Sequence, residues 1–323
     1  MIKVKTSNTE IIEKELQVPS SIAIQGTFSL PSQLSEKTPA ILIISGSGPV
    51  DRDGNAKRLK SNIYKDLSGL FCSIGYATFR YDKRNIKEFY KTSLSDLVED
   101  AREAFKTLSE QPEIDSDSIY LAGHSEGCMI ASILAAELNV KGVILLSGAG
   151  QNLIEAIEYQ REAAYQELEQ LKGFKGFMIR KLDVIKKDRK KAEKMFHTFK
   201  NSEKDIIRFQ FMRMNAKWWR EHMEIDIQEL YENISVPVLA VTGSKDVQAD
   251  PKALALLPAS LHAETRVIEN MNHLLKIQDE DTSMLKLMKT YKKGFSLPIA
   301  PELKDVLNTW LAMHARGQQE CVH

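Results

Sequence analysis

Residues 119 to 129 read Ile119-Tyr120-Leu121-Ala122-Gly123-His124-Ser125-Glu126-Gly127-Cys128-Met129. An apolar run enters a Gly-x-Ser-x-Gly pentapeptide and leaves into an alanine-rich apolar stretch, which predicts a buried strand, a sharp turn and a helix. A turn this tight forces strained dihedrals on Ser125 and leaves no room for side chains two positions away, so Gly123 and Gly127 stand there for a physical reason. A serine so placed is in the position of a nucleophile, although a helix start with Ser as its cap would read the same way. The choice rests on whether an acid and a histidine follow at the ends of later strands.

Both do. The apolar run Val236 to Gly243 enters through Pro237 and leaves into Ser244-Lys245-Asp246, which puts Asp246 just past a strand's carboxyl end. Thr265 to Ile268 forms the next strand, and Glu269-Asn270-Met271-Asn272-His273 follows it. Open parallel sheets present their working groups at such ends. The chain order Ser125, Asp246, His273 is that of nucleophile, acid and base in an α/β-hydrolase sheet. A serine hydroxyl needs a base to take its proton, and an imidazole of pKa near about 6.5 suits the task. A buried carboxylate then fixes the imidazole's tautomer and stabilises its cation. The three side chains are therefore expected to be hydrogen-bonded in series. His124 adjoins the nucleophile and reads as a structural or pocket-lining ring; for Asp246 the competing reading is a turn cap before Pro251.

Acyl transfer also needs donors aimed at the developing oxyanion. The backbone N–H of Glu126, directly after the nucleophile at a helix start, supplies one. The second is expected from the loop after the strand Pro39 to Ile44, where Ser45-Gly46-Ser47-Gly48-Pro49 follows. Ser47 is the preferred donor and Gly46 the alternative. That loop lacks both the G-K-[ST] ending and the G-x-G-x-x-G spacing of a nucleotide site.

Taken together, Gly46-Ser47-Gly48-Pro49-Val50-Asp51-Arg52-Asp53-Gly54-Asn55, Phe79-Arg80-Tyr81-Asp82-Lys83-Arg84, the Ser125 pentapeptide and Asn272-His273-Leu274-Leu275-Lys276 resemble a branch of bacterial α/β-hydrolases. That branch holds small carboxylesterases close to the serine aminopeptidase-like hydrolases. The resemblance runs from about residue 10 to about residue 315 and implies Ser125, Asp246 and His273 as triad, with Ser47 and Glu126 as oxyanion hole. Cys128 departs from it, standing where the family commonly has a second glycine.

The 323 residues, 43% hydrophobic, suffice for one large core plus an insertion. A formal net charge of +0 gives no general attraction for nucleic acid. Three cysteines, at 72, 128 and 321, make neither a disulfide framework nor a metal cluster, as expected of a reducing cytosol. The amino-terminal residues lack a signal-peptide core, and no apolar run approaches a membrane span, so a soluble cytoplasmic protein is expected. No cofactor or metal is signalled. The expected partner is a small-molecule ester substrate, and a homodimer is left open.

Strand and helix alternate from residue 39 to 147, implying a mostly parallel sheet covered on both faces. Before it, residues 9 to 18 and 20 to 30 read as antiparallel strands; helices are expected over about 57 to 73, from Ser93 or Ser95 to about 109, and over 281–292 and 300–315. Between Gly150 and Val236 only helical patterns are read, including Leu153 to Leu171, Val184 to Phe199 and Ile206 to Trp219. This divides the chain into a core of residues 1–150 and 233–323 and a helical cap of residues 151–232. Phe174, Phe177, Met178, Phe211, Met212, Met214, Trp218 and Trp219 offer the cap a pocket lining. Between Lys172 and Arg220 it carries 16 Lys and Arg against five Asp and Glu, a surplus of +11. Arg180, Lys181, Arg208 and Arg213 are candidates for drawing anionic substrates to the pocket mouth. Asp51-Arg52-Asp53 reads as a self-braced loop, with Arg52 paired to one carboxylate. The leading function is hydrolysis of small to medium acyl esters; the alternatives are an aminopeptidase or amidase, an acyl thioester hydrolase, and a non-catalytic binding module.

Overall fold

A computed structural model describes residues 2–6, 9–32, 37–57, 59–84 and 86–315; Cys321 lies outside them. The first part of the chain runs β1 (Ile2–Thr6), β2 (Thr9–Pro19), β3 (Ala23–Pro31), β4 (Thr38–Ile44), the short β5 (Asn55–Ala56) and β6 (Leu59–Lys60), α1 (Ile63–Ser73), β7 (Ala77–Tyr81), α2 (Leu94–Ser109), β8 (Ile114–His124), α3 (Glu126–Glu137) and β9 (Gly142–Leu146). An insertion follows with α4 (Leu153–Glu169), α5 (Gly173–Lys181), α6 (Val184–Lys200), β10 (Ile206–Phe209), β11 (Met212–Asn215), α7 (Ala216–Glu224) and α8 (Ile227–Glu232). The sheet resumes with β12 (Val238–Gly243) and β13 (Glu264–Ile268), and α9 (Leu287–Gly294) and α10 (Pro301–Ala315) close the chain.

The main sheet has the order β1-β2-β3-β7-β4-β8-β9-β12-β13, parallel from β7 onward with an antiparallel meander at the β1 edge. Period-two alternation divides the side chains of each central strand between two apolar layers. Leu42 and Ile44 pack with Leu97 and Ala101 of α2 and Leu134 of α3, whereas Ile41 and Ile43 pack with Leu67 of α1 and Leu307 of α10. Strands covered on both faces read as continuous apolar runs, which is why β4, β8, β9 and β12 were legible. This is an α/β-hydrolase fold with a helical insertion ahead of its later strands. From β4 the chain moves to β7 on one side and then to β8 on the other, so the crevice at the carboxyl ends of β4 and β8 is a topological switch point.

Local differences from the sequence reading have local causes. The helix expected from about 57 begins at Ile63, because residues 55–60 form the β5/β6 hairpin. Ser93, rather than Ser95, starts α2: its hydroxyl accepts the Asp96 N–H and the Asp96 carboxylate accepts the Ser93 N–H, a reciprocal cap. The helix expected over 206 to 219 is a hairpin followed by α7. Ile207 faces Met214 and Phe209 faces Met212 across it, with Gln210 and Phe211 both at positive φ as a two-residue turn requires. The helix expected over 281–292 occupies Leu287–Gly294.

One buried cation ties the loop after β13 to the rest of the core. Lys276 is fully buried, and its ammonium donates to Asp66 Oδ2 at 3.0 Å, the Phe295 carbonyl at 3.0 Å and the Leu297 carbonyl at 2.7 Å. Removing it leaves a half-buried carboxylate and two carbonyls without a partner. Lys276→Met is expected to lower the unfolding free energy by about 3 kcal/mol, read as a lower urea midpoint at unchanged slope. A midpoint equal to that of the parent would show that the lysine staples nothing.

Candidate active site

Ser125 joins β8 to α3 at φ 55, ψ −123, outside the regions side chains ordinarily favour. Its N–H donates to the Leu146 carbonyl at 2.9 Å and its own carbonyl accepts from the Cys128 N–H at 2.9 Å, which holds the turn. A Cβ on Gly123 would strike the Gly127 carbonyl, and one on Gly127 would strike the Ile44 carbonyl. Cys128, the departure from the family pattern, fits fully buried, with Sγ 3.2 Å from the Leu146 oxygen and 3.3 Å from that of Gly123. Burial pushes its thiol pKa up, against reactivity.

Asp246 and His273 meet as expected. His273 Nδ1 lies 2.9 Å from Asp246 Oδ2 and 3.1 Å from Oδ1, with both residues buried. Asp246 Oδ1 also accepts the N–H groups of Gln248 and Ala249 at 2.8 and 2.9 Å, so the loop fixes the carboxylate before it fixes the ring. The cap before Pro251 is a different residue, Asp250, which accepts the Lys252 N–H. Ser125 and His273 line one cavity of about 220 Å³. No hydrogen bond joins them among the described residues, so the structure brings together two members of the expected series and places the third beside them. Such contacts are often long without substrate.

His124 organises the loop that carries His273. Its Nε2 lies 2.8 Å from the His273 carbonyl oxygen and its Nδ1 lies 3.1 Å from the Tyr64 hydroxyl. The carbonyl can only accept, so Nε2 carries the proton and Nδ1 accepts from Tyr64, whose oxygen in turn accepts the Gly46 N–H at 2.7 Å. The polarity of the chain from Gly46 to His273 is thereby fixed. Burial, and then the neighbouring His273, hold the His124 pKa down to about 3. Tyr64, on α1, was not anticipated; nothing in its local sequence marks it.

That chain bears on the oxyanion donors. The Gly46 N–H is occupied by Tyr64, which removes the alternative donor, while the Ser47 N–H has no acceptor among the described residues. Glu126 begins α3, where the amide has no intrahelical partner. Its side chain is buried against Lys83 Nζ at 2.9 Å and the Trp218 indole N–H at 2.9 Å, and His222 Nε2 lies 3.2 Å away. The His222 contact is close but poorly aligned, and Nε2 has no hydrogen-bond partner. Burial alone would raise the Glu126 pKa; Lys83 and His222 outweigh it and bring it to about 2.

The insertion lies over this site. Gln160 of α4 donates to the Gln248 carbonyl at 2.8 Å, and Glu221 of α7 accepts from Ser95 at 2.8 Å. A second cavity at Ser125, about 130 Å³, includes Ser47, Glu126 and Trp218 in its lining. Of the eight apolar insertion residues named as pocket candidates, Trp218 alone reaches either cavity at Ser125; Phe211 and Phe174 face outward at 101% and 76% exposure, and Trp219 stacks on Phe199. Nor do Arg180, Lys181, Arg208 or Arg213 line these cavities: Arg180 donates to the Glu169 and Leu171 carbonyls. A larger cavity of about 520 Å³, between α4 and α6, touches none of Ser125, Asp246 and His273. Chemistry rather than size selects the smaller pair. The loop after β4 is braced: Asp51 accepts the Asp53 and Asn55 N–H groups, as expected of a self-bracing loop, while Arg52 finds its carboxylates outside the loop, Asp82 at 2.9 Å and Glu15, and Asp53 pairs with Arg80 at 2.8 Å.

The sequence profile of the family described as serine aminopeptidase, S33 matches residues 59–280. The chain belongs to that family. Esterase EstD of Thermotoga maritima is 26% identical over 286 residues, which cover 86% of this chain and 63% of that relative's length. Among solved structures, Est1E of Butyrivibrio proteoclasticus superposes with a TM-score of 0.59 at 16% identity, over 93% of this chain and 98% of that one. GrgF, an α/β hydrolase of Penicillium sp. sh18, superposes with 0.55 at 16% identity, over 95% and 98%. The two superpositions show the fold alone. Among the described residues no helix is long and apolar enough to cross a membrane.

The depressed His124 pKa sets an acid limit. With the folded value near 3 and the ordinary value 6.5, the unfolded chain takes up the proton first as the pH falls. The contribution is complete above pH 6.5 and is lost on descending toward 3. One such group gives a slope of up to about 1.4 kcal/mol per pH unit. Urea unfolding between pH 6.5 and 5 should show stability falling with pH, and His124→Gln should flatten the fall by about one proton's worth. An unchanged slope in the variant would mean that His124 is protonated in the folded chain.

Proposed function

We propose that this S33-family chain is a serine carboxylesterase acting on small to medium acyl esters. Ser125 Oγ attacks the ester carbonyl as His273 takes its proton, and the N–H groups of Ser47 and Glu126 face the oxyanion. His273, held by Asp246, returns the proton to the leaving alcohol, then activates the water that releases the acyl group. Water is the only co-reactant. The observation that carries the reading is that His273, paired with Asp246 at 2.9 Å, lines the same cavity as the strained Ser125. The esterase name of the Thermotoga relative favours ester over amide.

An aminopeptidase needs a free carboxylate to hold the substrate's amine. Of the three candidate acids, Glu126 is paired with Lys83, the Glu155 carboxylate accepts the Asn152 N–H at 2.8 Å, and Glu158 lines the cavity of about 520 Å³ rather than those at Ser125, so none favours that reading. A thioester hydrolase with an anionic carrier draws no support from the cations of the insertion, which lie away from Ser125. The buried free thiols of Cys72 and Cys128 suit a reducing cytoplasm.

p-Nitrophenyl esters of graded acyl length and aminoacyl anilides should be turned over side by side by the parent chain and by Ser125→Ala. Ester hydrolysis is expected to dominate and to fall by about 10³-fold or more in the variant. Asp246→Asn should cost a comparable factor with KM little changed. Turnover confined to anilides would replace the esterase reading, and ester turnover that survives Ser125→Ala would dismiss the nucleophile.

A further inference from the structure

Helix α5 is turned with its most apolar side outward. It packs against α4 and α6, and its buried position is Gly176, where an added Cβ would strike the Leu171 carbonyl. At about 100° per residue, the face opposite this glycine carries Phe174, Phe177, Met178 and Lys181. Phe174 is 76% exposed and Phe177 52%, and Leu182 and Val184 extend the exposed apolar surface through the turn into α6. A surface helix ordinarily gives such residues to the core. One exposed phenylalanine needs no explanation, but two on a helix that buries a glycine instead form a patch of the kind that meets another body.

The same corner is basic. Residues 172–187 hold six Lys and Arg, at 172, 175, 180, 181, 186 and 187, against Asp183 alone. Lys172, Lys175, Lys186 and Lys187 are exposed and make no ion pair among the described residues. Lys181 Nζ lies 5.6 Å from the centre of the Phe177 ring, so cationic and apolar groups are interleaved on one face. The surplus of +11 between Lys172 and Arg220, in a chain of net charge +0, concentrates positive potential on the insertion.

We infer that the α5 corner is a docking surface for an anionic phospholipid bilayer. Phe174 and Phe177 enter the boundary between headgroups and acyl chains, and the surrounding lysines meet the anionic headgroups. Lysine stems lie along apolar surface while their ammonium groups stay with the headgroups, which suits the interleaving seen here. Charge and chemistry select the bilayer over other occupants. A second copy of this chain would bring like cations face to face, which repels. A protein partner takes aromatic anchors into formed pockets and fixes register with paired charges, whereas a bilayer needs no register and accepts long, unpaired lysines. A single-stranded nucleic acid would use the cations and stack on the rings, but it gives Leu182 and Val184 nothing to bury against. The inference does not depend on the esterase reading, because none of these residues lines a cavity at Ser125.

The test is flotation of the full chain with vesicles of phosphatidylcholine alone and of phosphatidylcholine with about 30% phosphatidylserine. The parent is expected to float with the anionic vesicles at low salt, at least about 10-fold more tightly than with the neutral ones, and to be released as salt rises to about 0.5 M. Phe174→Ser with Phe177→Ser should weaken the binding by about 10-fold or more, and so should Lys→Gln at 172, 175, 186 and 187 together. All these side chains are exposed, so the variants should keep the parent's urea midpoint; the parent's own choice between the two vesicles is read without any variant. Absence of binding at low salt, equal binding to both vesicles, or a Phe174/Phe177 variant that binds like the parent would each overturn the inference. So would binding of oligo(dT) in place of vesicles, or a dimer in sedimentation that the Phe174/Phe177 variant dissolves while the vesicles stay bare.

Discussion

The backbone of Ser125, at φ 55 and ψ −123, is the constraint around which the site is arranged. Such a conformation costs about 1 to 3 kcal/mol and persists only where the surroundings over-determine it. Here they do so from three sides. The Leu146 carbonyl at the end of β9 takes the Ser125 N–H, the first turn of α3 takes its carbonyl, and side-chain-free backbone at Gly123, Gly127 and Gly148 allows the approach. Gly46 completes the set from the loop after β4, where an added Cβ would come within 2.9 Å of the Ser125 Cβ. Four glycines, two flanking Ser125 in β8 and α3 and two on the loops after β4 and β9, thus answer to one serine, and the order of β4, β8 and β9 in the sheet brings them there.

Glu126 carries a second burden beside its amide. Its carboxylate meets Lys83 from the segment after β7 and Trp218 from α7, so the residue after the nucleophile is also the joint between sheet and insertion. A buried pair of this kind is weak evidence for stability, because desolvation offsets most of its attraction. Its value lies in geometry: with the carboxylate held from both sides, rotation of the first turn of α3 is resisted, as the proposed donor role of the Glu126 N–H requires. The same pairing removes the carboxylate from substrate recognition. A reading of Glu126 as an amine anchor fails on electrostatics, not on distance from Ser125.

How far the sequence could be read depended on whether the relevant physics was local. Ser125, Asp246 and His273 each follow an apolar strand, and the alternation of strand and loop marks such positions without knowledge of the packing. Asp246 and His273 do sit together, 27 positions apart in the chain. Tyr64 carries no such mark, since what matters about it is a pair of partners brought near by the fold. Gly46 could be offered as a donor from composition alone; only the Tyr64 hydroxyl at 2.7 Å shows that its N–H is engaged. The misreading of residues 206–215 as helix has a different origin. Ile-Ile-Arg-Phe and Met-Arg-Met-Asn contain apolar residues at both helical and strand spacing, and the turn between them has neither glycine nor asparagine to announce it. In the cap, aromatic content predicted a pocket lining, but a surface helix such as α5 leaves Phe174 and Phe177 exposed, and sequence does not say which face the core takes.

The two histidines of the site divide one problem between them. Their ring centres are 4.9 Å apart, close enough that two imidazolium ions would repel strongly in a buried setting. In the proposed mechanism His273 becomes cationic, and that requires a neighbour that stays neutral. His124 meets that need because both of its nitrogens are committed, Nε2–H to the His273 carbonyl and Nδ1 to the Tyr64 hydroxyl, which leaves no lone pair for a second proton. The charged group that meets the His273 ring is the carboxylate of Asp246. The ring beside Ser125 thus holds His273 by its backbone carbonyl and, by remaining neutral, adds no charge beside the His273–Asp246 pair.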